Sequence, residues 1–289
     1  NTIFAYIFMG GDVGITQFLR ASVGSVSNFS LTPIPLFVLM GELMFQTGMA
    51  SRAIDAVDRM ISGVPGRLSV VAVTSGTVFS ALTGSSLATV AMLGSSLVPE
   101  MTKRGYKASM SAGPILATGG LAAMIPPSGL AVILGSLAGI SVSGLLLGGV
   151  LPGLIMAAMF LGYIVIRAVL QPASAPSYEL PPSTFRERVG PFVLYVLPLF
   201  SVFAIVIGGM LSGVATITEV SALGVVATLA LALAYRCLTL DSFRRSMLST
   251  TSVTVMIFAI IAGSTTFSQV LAMSGATSSA TSATCGQWA

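Results

Sequence analysis

Long uncharged runs joined by short polar stretches make up this chain. The most telling run covers residues 68–99, LSVVAVTSGTVFSALTGSSLATVAMLGSSLVP, and holds no charged residue. Arg67 precedes it, and Glu100, Lys103, Arg104 and Lys107 follow. As one helix it would be roughly 48 Å long at about 1.5 Å per residue, well beyond the roughly 30 Å hydrocarbon layer of a bilayer. Two half-helices meeting at Thr83-Gly84-Ser85-Ser86 fit better, with the chain entering and leaving on one side. Basic residues at both ends support this re-entrant hairpin, because short cytoplasmic loops collect Lys and Arg.

The remaining runs follow the same logic. Residues 1–9 read as the end of a membrane helix, and 10–30 as a polar connection with Asp12 and Arg20. Residues 31–50, opened by Pro33 and Pro35 and interrupted by Glu42, are just long enough to span. Over 51–62, Arg52, Asp55, Asp58 and Arg59 alternate with Ala53, Ile54, Val57, Met60 and Ile61 at helical spacing. That pattern predicts an amphipathic helix lying at the membrane interface, ended by Gly63-Val64-Pro65-Gly66. From Ala108 to Ile166 there is again no charge, enough for about two spans. The first is broken at Met124-Ile125-Pro126-Pro127-Ser128, where two prolines forbid a continuous helix. The carbonyls freed there need a protein partner or a lined cavity, because lipid offers none. The second, over 143–170, carries Gly148, Gly149, Gly153 and Gly162, which permit close packing. A Pro/Ser-rich loop with Arg186 and Arg188 leads to two spans over 190–235, with a glycine-rich middle and the acid Glu219. Arg236, Asp241, Arg244 and Arg245 read as a polar loop before a last span over 249–272.

The hairpin can be checked by parity. If it returns to its own side, Arg67, Lys103, Arg104, Lys107, Arg167, Arg186, Arg188, Arg236, Arg244 and Arg245 share one face. The opposite connections, near Gly139-Ile140 and over 208–213, carry no charge. A single crossing over 68–99 would place Arg67 opposite the later clusters.

Composition agrees with a membrane location. The chain is 54% hydrophobic and 8% charged, with mean hydropathy +0.96, whereas soluble domains carry about a quarter charged residues. The fold class is therefore an all-α polytopic membrane protein. The net charge of +4 lies in short loops, which is a topology signal and not a nucleic-acid surface. The absence of histidine removes Ser-His-Asp hydrolysis, His metal sites and His proton relays. Cys237 and Cys285 are far apart and support neither a disulfide framework nor a zinc site. No phosphate-binding G-x-x-x-x-G-K-[ST] loop occurs. An intramembrane enzyme would also need paired aspartates or a metal cluster, and neither is present, so the chain is not read as an enzyme. It begins at Asn1 and ends in a Ser/Thr-rich tail unlike anything before it, so it reads as a piece of a longer protein with a poorly ordered 276–289.

Two broken elements therefore stand close in sequence: the hairpin tip, and the break from Thr118-Gly119-Gly120 to Ser128. Discontinuous helices at mid-membrane are the usual construction of secondary-transporter sites. The first limb would end in unpaired carbonyls at Ala81, Leu82 and Thr83, which with serine hydroxyls suit a dehydrated Na⁺. The second would begin near Ser86, turning amide donors and a positive helix end toward an anion such as a carboxylate. Ordinary small-residue packing through Ala88, Thr89 and Gly94 is the competing explanation of the tip. Glu42 and Glu219 are acids inside apolar runs. Glu42 lies near an interface and suits snorkelling or a subunit contact. Glu219 suits either a functional role or a hydrogen bond to a neighbouring helix end. Met92, Met101, Met110 and Met124 read as core and lipid-facing filler.

Gly-Ser-Ser-Leu-Ala-Thr-Val-Ala-Met-Leu-Gly-Ser (84–95), Lys-Arg-Gly-Tyr (103–106) and Gly-Gly-Leu-Ala-Ala-Met-Ile-Pro-Pro-Ser (119–128) resemble the large membrane subunit of tripartite ATP-independent periplasmic (TRAP) transporters. So do Pro35-Leu36-Phe37-Val38-Leu39-Met40-Gly41 and Gly-Val-Ala-Thr-Ile-Thr-Glu (213–219), and the similarity runs to about Ala272. The resemblance implies an inverted-repeat, elevator-type, Na⁺-coupled importer of carboxylates or related organic acids in a bacterial or archaeal cytoplasmic membrane. It implies two protein partners, a small membrane subunit and a soluble periplasmic binding protein, with no organic cofactor and no nucleic acid.

Carried over to this sequence, Gly84, Ser85, Ser86, Thr89, Gly119, Gly120 and Pro126 would form the Na⁺ region. Ser85, Ser86, Pro127, Ser128 and Glu219 would contribute to the substrate pocket. Ala122 stands where the family often has glycine, and Ile217 where it often has proline. The implied layout is scaffold helices over 1–50, an arm helix over 51–66 and a first transport half over 67–139. A connecting helix and loop over 140–188, the start of a second half over 189–275 and the tail complete it. The second hairpin and its sodium site are absent, so this chain by itself is not expected to transport. Two other readings stay open: an ion-coupled dicarboxylate carrier that needs no binding protein, and a non-transporting membrane interaction subunit.

Overall fold

A computed structural model describes residues 27–61, 64–176 and 189–273, with a few positions between 16 and 24. Expectations for residues 1–9, for most of 10–30, for Arg186 and Arg188 and for the tail lie outside the described residues. Those residues are helical, with no strand among them, and five helices are long and apolar enough to cross a membrane. The chain divides into two compact units, residues 33–250 and a second unit made of 1–32 with 251–289.

The predicted span over 31–50 is cut at its end. Helix α1 runs Pro33–Gln46, and Gly48, at φ 72°, turns the chain into α2, Met49–Met60. Glycine reaches that left-handed conformation without the Cβ clash that other residues meet. The buried face of α2 is Met49, Ala50, Ala53, Ile54, Ala56 and Val57, with Arg52, Asp55 and Arg59 exposed as its periodicity predicts. Met60, expected on the apolar face, is exposed.

Helices α3, Arg67–Thr83, and α4, Ser86–Lys103, form the hairpin. α3 stops because Gly84 takes φ 58° and its N–H closes on the Ser80 carbonyl, a left-handed helix end. Ser85 is extended, and its hydroxyl accepts from Ala88 N–H, the usual way a serine starts a helix. Two residues thus reverse the chain. The limbs run antiparallel: a Cβ on Gly76 would lie 2.8 Å from Leu93 Cδ1, and Ser80 Oγ is 3.5 Å from Thr89 Oγ1. At the foot, Arg67 and Leu68 line one polar cleft with Leu97, Glu100 and Arg104.

α5, Ala108–Leu121, and α6, Gly129–Ala138, are the two pieces of the proline-broken span, and α7, Val142–Leu170, returns across. A turn of π-helix, Phe192–Val196, leads into α8, Leu197–Leu211; α9, Ile217–Ala234, and α10, Leu240–Met273, follow. The predicted polar loop with Asp241, Arg244 and Arg245 is instead the first turns of α10. Thr239 Oγ1 accepts from Ser242 N–H, and Arg245 pairs with Asp241 one turn away at 2.7 Å. A hydrophobicity run marks only the lipid-facing part of a helix. Capping and an i,i+4 ion pair extend this one beyond it.

The parity argument meets its test in the contacts. A Cβ on Gly66 would lie 2.8 Å from Ala168 Cβ, and Lys107 N–H donates to the Ser174 carbonyl at 3.1 Å. So the hairpin foot, the start of α5 and the end of α7 share one end of the unit. Asp58 at the end of α2 pairs with Arg67, Arg52 lies over the Tyr195 ring, and Tyr235 donates to the Leu194 carbonyl. These contacts bring the beginning of α8 and the end of α9 together beside the first turn of α2, while the end of α2 meets the hairpin foot.

Candidate functional site

The break in the α5–α6 span answers the accounting problem that its prolines create. Pro126-Pro127 is a cis peptide. Met124 and Ile125 N–H groups both donate to the Leu121 carbonyl, at 3.0 and 2.9 Å. The fully buried Ser128 then does two things. Its hydroxyl donates to the Ala123 carbonyl at 2.8 Å, and its oxygen accepts from Ala131 N–H at 3.3 Å, capping α6. Removing the cap and leaving a buried carbonyl unpaired costs about 1–3 kcal/mol. Ser128→Ala is therefore expected to lower thermal stability. An unchanged melting temperature would show that water replaces the hydroxyl.

The two discontinuities meet. A Cβ built on Gly84 would strike the Pro127 carbonyl oxygen, lying 3.0 Å from its carbon and 3.6 Å from Ser128 Cα. Ser80 Oγ donates to the Thr118 carbonyl at 2.8 Å, and a Cβ on Gly119 would lie 2.6 Å from Val90 Cγ2 and 3.6 Å from the Ser86 carbonyl. Four helix ends therefore converge. The carbonyl ends of α3 and α5 and the amide ends of α4 and α6 all fall within a few residues of the Gly84–Pro127 contact. The last carbonyls of a helix have no intrahelical acceptor role to fill, and its first amides no intrahelical partner. At the end of α5 the Thr118, Gly120 and Leu121 carbonyls already accept hydrogen bonds, so the oxygens the site offers to a cation come from the end of α3, beside helix starts whose positive dipole ends suit an anion.

The predicted residues do not all gather there. Gly84, Ser85, Ser86, Thr89, Gly119, Pro126, Pro127 and Ser128 lie at or beside the contact. Thr89 is fully buried, its hydroxyl donating to the Ser85 carbonyl at 2.9 Å. Gly120 is exposed, and a Cβ there would meet nothing within 4 Å. Glu219 closes the cap of α9: its carboxylate accepts from Thr216 N–H at 2.7 Å and from Thr216 Oγ1 at 2.8 Å. Among the described residues no hydrogen bond or ion pair joins it to the tip. Glu42 accepts from Gln46 Nε2 at 3.3 Å on its own helix.

Other participants escaped the sequence reading. Ser128, expected beside the substrate, also makes two hydrogen bonds that close the break, and the signal for that capping role is a serine just before an apolar helical run. Gly149 and Gly153 on α7 seat against Met124 and Ile125, whereas a Cβ on Gly148 or Gly162 would meet nothing within 4 Å. The sequence does not distinguish these pairs. Arg67 is 6% exposed at its side chain and ties the arm helix to the hairpin foot. It pairs with Asp58 at 2.9 Å and donates to the Asp58 and Ile61 carbonyls at 2.7 and 2.6 Å. Burial raises the Asp58 carboxyl above its ordinary value, although Arg67 pulls it down.

A multi-span helical unit in which a helical hairpin touches a proline-broken helix has the build of secondary-transporter membrane subunits. Residues 1–286 match the family model "Tripartite ATP-independent periplasmic transporter, DctM component". The chain belongs to that family, a family of transporter subunits and not of enzymes. It is 31% identical over 273 residues to the ectoine TRAP transporter large permease protein TeaC of Halomonas elongata, covering 93% of this chain and 62% of that one. It is 33% identical over 247 residues to the C4-dicarboxylate TRAP transporter large permease protein DctM of Pseudomonas aeruginosa, covering 84% and 56%. The 2,3-diketo-L-gulonate TRAP transporter large permease protein YiaN of Escherichia coli is 33% identical over 203 residues, covering 69% and 46%. The chain thus spans between 46% and 62% of the length of these curated relatives.

Proposed function

We propose that the protein is the large membrane subunit of a Na⁺-coupled importer of carboxylates or related organic acids, seated in a cytoplasmic membrane and working by elevator-type alternating access. A periplasmic binding protein delivers the substrate, and a small membrane subunit completes the complex. The observation that carries this reading is the Gly84–Pro127 contact, which gathers two carbonyl ends and two amide ends at one place. The carbonyls of Ala81, Leu82 and Thr83 with the hydroxyls of Ser85 and Ser86 hold Na⁺. Amides at the starts of α4 and α6, with Ser128 beside them, face the substrate carboxylate. Relatives named for ectoine, C4-dicarboxylates and 2,3-diketo-L-gulonate all take carboxylate-bearing molecules, which suits an amide-lined anion position.

The test uses the intact subunit with both partners in proteoliposomes, offered a labelled C4-dicarboxylate or ectoine. Uptake is expected to need an inward Na⁺ gradient and the binding protein. Ser85→Ala with Ser86→Ala is expected to raise the half-saturating Na⁺ at least tenfold. Uptake that persists when K⁺ replaces Na⁺ would sink the coupling. An unchanged double variant would return the tip to packing. Glu219 reaches a substrate only if its cap opens, so Glu219→Gln in the same assay separates substrate KM from the Na⁺ response.

A further inference from the structure

Glycine 41, on α1, is not in the hairpin or the break, yet it touches the tip. A Cβ there would lie 2.6 Å from the Thr83 carbonyl oxygen, 2.9 Å from Thr83 Cα and 3.1 Å from its carbonyl carbon. All three are backbone atoms, so no side-chain rotation relieves the contact. Thr83 is the last residue of α3, where a carbonyl has no intrahelical partner.

The tip side of the contact is tied in place. The Thr83 hydroxyl donates to the Phe79 carbonyl at 3.0 Å and accepts from Ser85 N–H at 3.4 Å, and the next residue, Gly84, rests on the Pro127 carbonyl. α1 also packs on α9, where a Cβ on Gly224 would lie 2.7 Å from Met40 Sδ, the end of a flexible side chain. A methyl group at position 41 therefore pushes directly on the Thr83 peptide.

We infer that Gly41 is a positioning residue of the ion site: its missing side chain lets α1 press directly on the Thr83 peptide and sets where that carbonyl points. The inference rests on the reading that tip carbonyls hold Na⁺. Oxygen ligands must sit at a defined distance from a small cation, so a displacement of a few tenths of an ångström weakens binding without removing any ligand. Gly41→Ala thus changes the geometry of an oxygen that it does not supply.

The experiment needs no substrate. The intact subunit, purified with its membrane partner, is titrated with NaCl replacing choline chloride at constant ionic strength, and the melting temperature is followed. Gly41→Ala is expected to raise the Na⁺ concentration at half-maximal stabilisation at least fivefold, with the full stabilisation regained at saturating Na⁺. Gly94→Ala on α4, where a Cβ meets nothing within 4 Å, is expected to leave the midpoint in place. A midpoint for Gly41→Ala within twofold of the parent overturns the inference. So does a melting temperature lowered equally at every Na⁺ concentration, or an alanine chain that never accumulates, since either makes the contact one of packing alone. A parent protein with no Na⁺-specific shift would instead fail the ion reading itself, and this inference with it.

Discussion

Gly84→Ala is expected to abolish Na⁺-driven uptake and to lower stability by about 2–5 kcal/mol. Two costs add at this one position. A residue with a Cβ at φ 58° sits in the left-handed region, at about 1–2 kcal/mol. The Cβ would also overlap the Pro127 carbonyl oxygen, a backbone atom tied to Ser128 and the α6 cap. Overpacking of that kind costs about 1–3 kcal/mol, and the tip can relieve it only by leaving the break. The measurement is thermal unfolding of the intact subunit together with Na⁺-dependent uptake. Alanine at 84 with full uptake would mean that the tip and the break do not touch in the working protein.

Arg67→Ala is expected to be nearly as damaging, through charge instead of shape. Breaking a buried pair by deleting one partner costs about 3–5 kcal/mol, and Asp58, one-third exposed, reduces that to about 2–3 kcal/mol. The Asp58 and Ile61 carbonyls at the end of α2 lose their donors as well.

The pH dependence follows from Asp58. Its folded carboxyl is raised, mainly by burial, above the ordinary 3.8. A raised acid contributes stability that is fully present below its unfolded value and lost as pH rises through the folded one. Without Arg67 the downward pull disappears and the carboxyl rises further. The variant's deficit is therefore expected to be largest near neutral pH and to shrink on acidification, as the carboxylate takes up a proton. Melting temperatures of parent and variant between pH 5 and 8 report this directly. A deficit independent of pH would assign Arg67's role to the carbonyls alone. Asp58→Asn in the Arg67→Ala background is expected to recover part of the loss, because it removes the stranded charge.

Much of this was legible in one dimension. The length of the uncharged run over 68–99 against the bilayer, Gly84-Ser85 at its middle, and basic residues at both ends were enough for a hairpin. The proline pair at 126–127 was enough for a break. Those signals are local: a left-handed glycine, a capping serine and a proline without an N–H act on their own backbone whatever surrounds them. The sequence also carried the family, through motifs at these two irregular places and over 35–41 and 213–219.

What packs on what was decided only by the tertiary structure. α5 through α9 carry no charge apart from Arg167 and Glu219, so no polar stripe marks which side faces protein and which faces lipid. Gly149 and Gly153 meet the break, while a Cβ on Gly148 or Gly162 would find open space, although all four look alike in sequence. The contact of Gly84 with Pro127, the seat of Gly41 on Thr83 and the pairing of Arg67 with Asp58 arise when separate elements close on one another. Hydropathy fixes how deep a residue lies in a membrane, and close approach between helices, which a missing Cβ permits, fixes its neighbours.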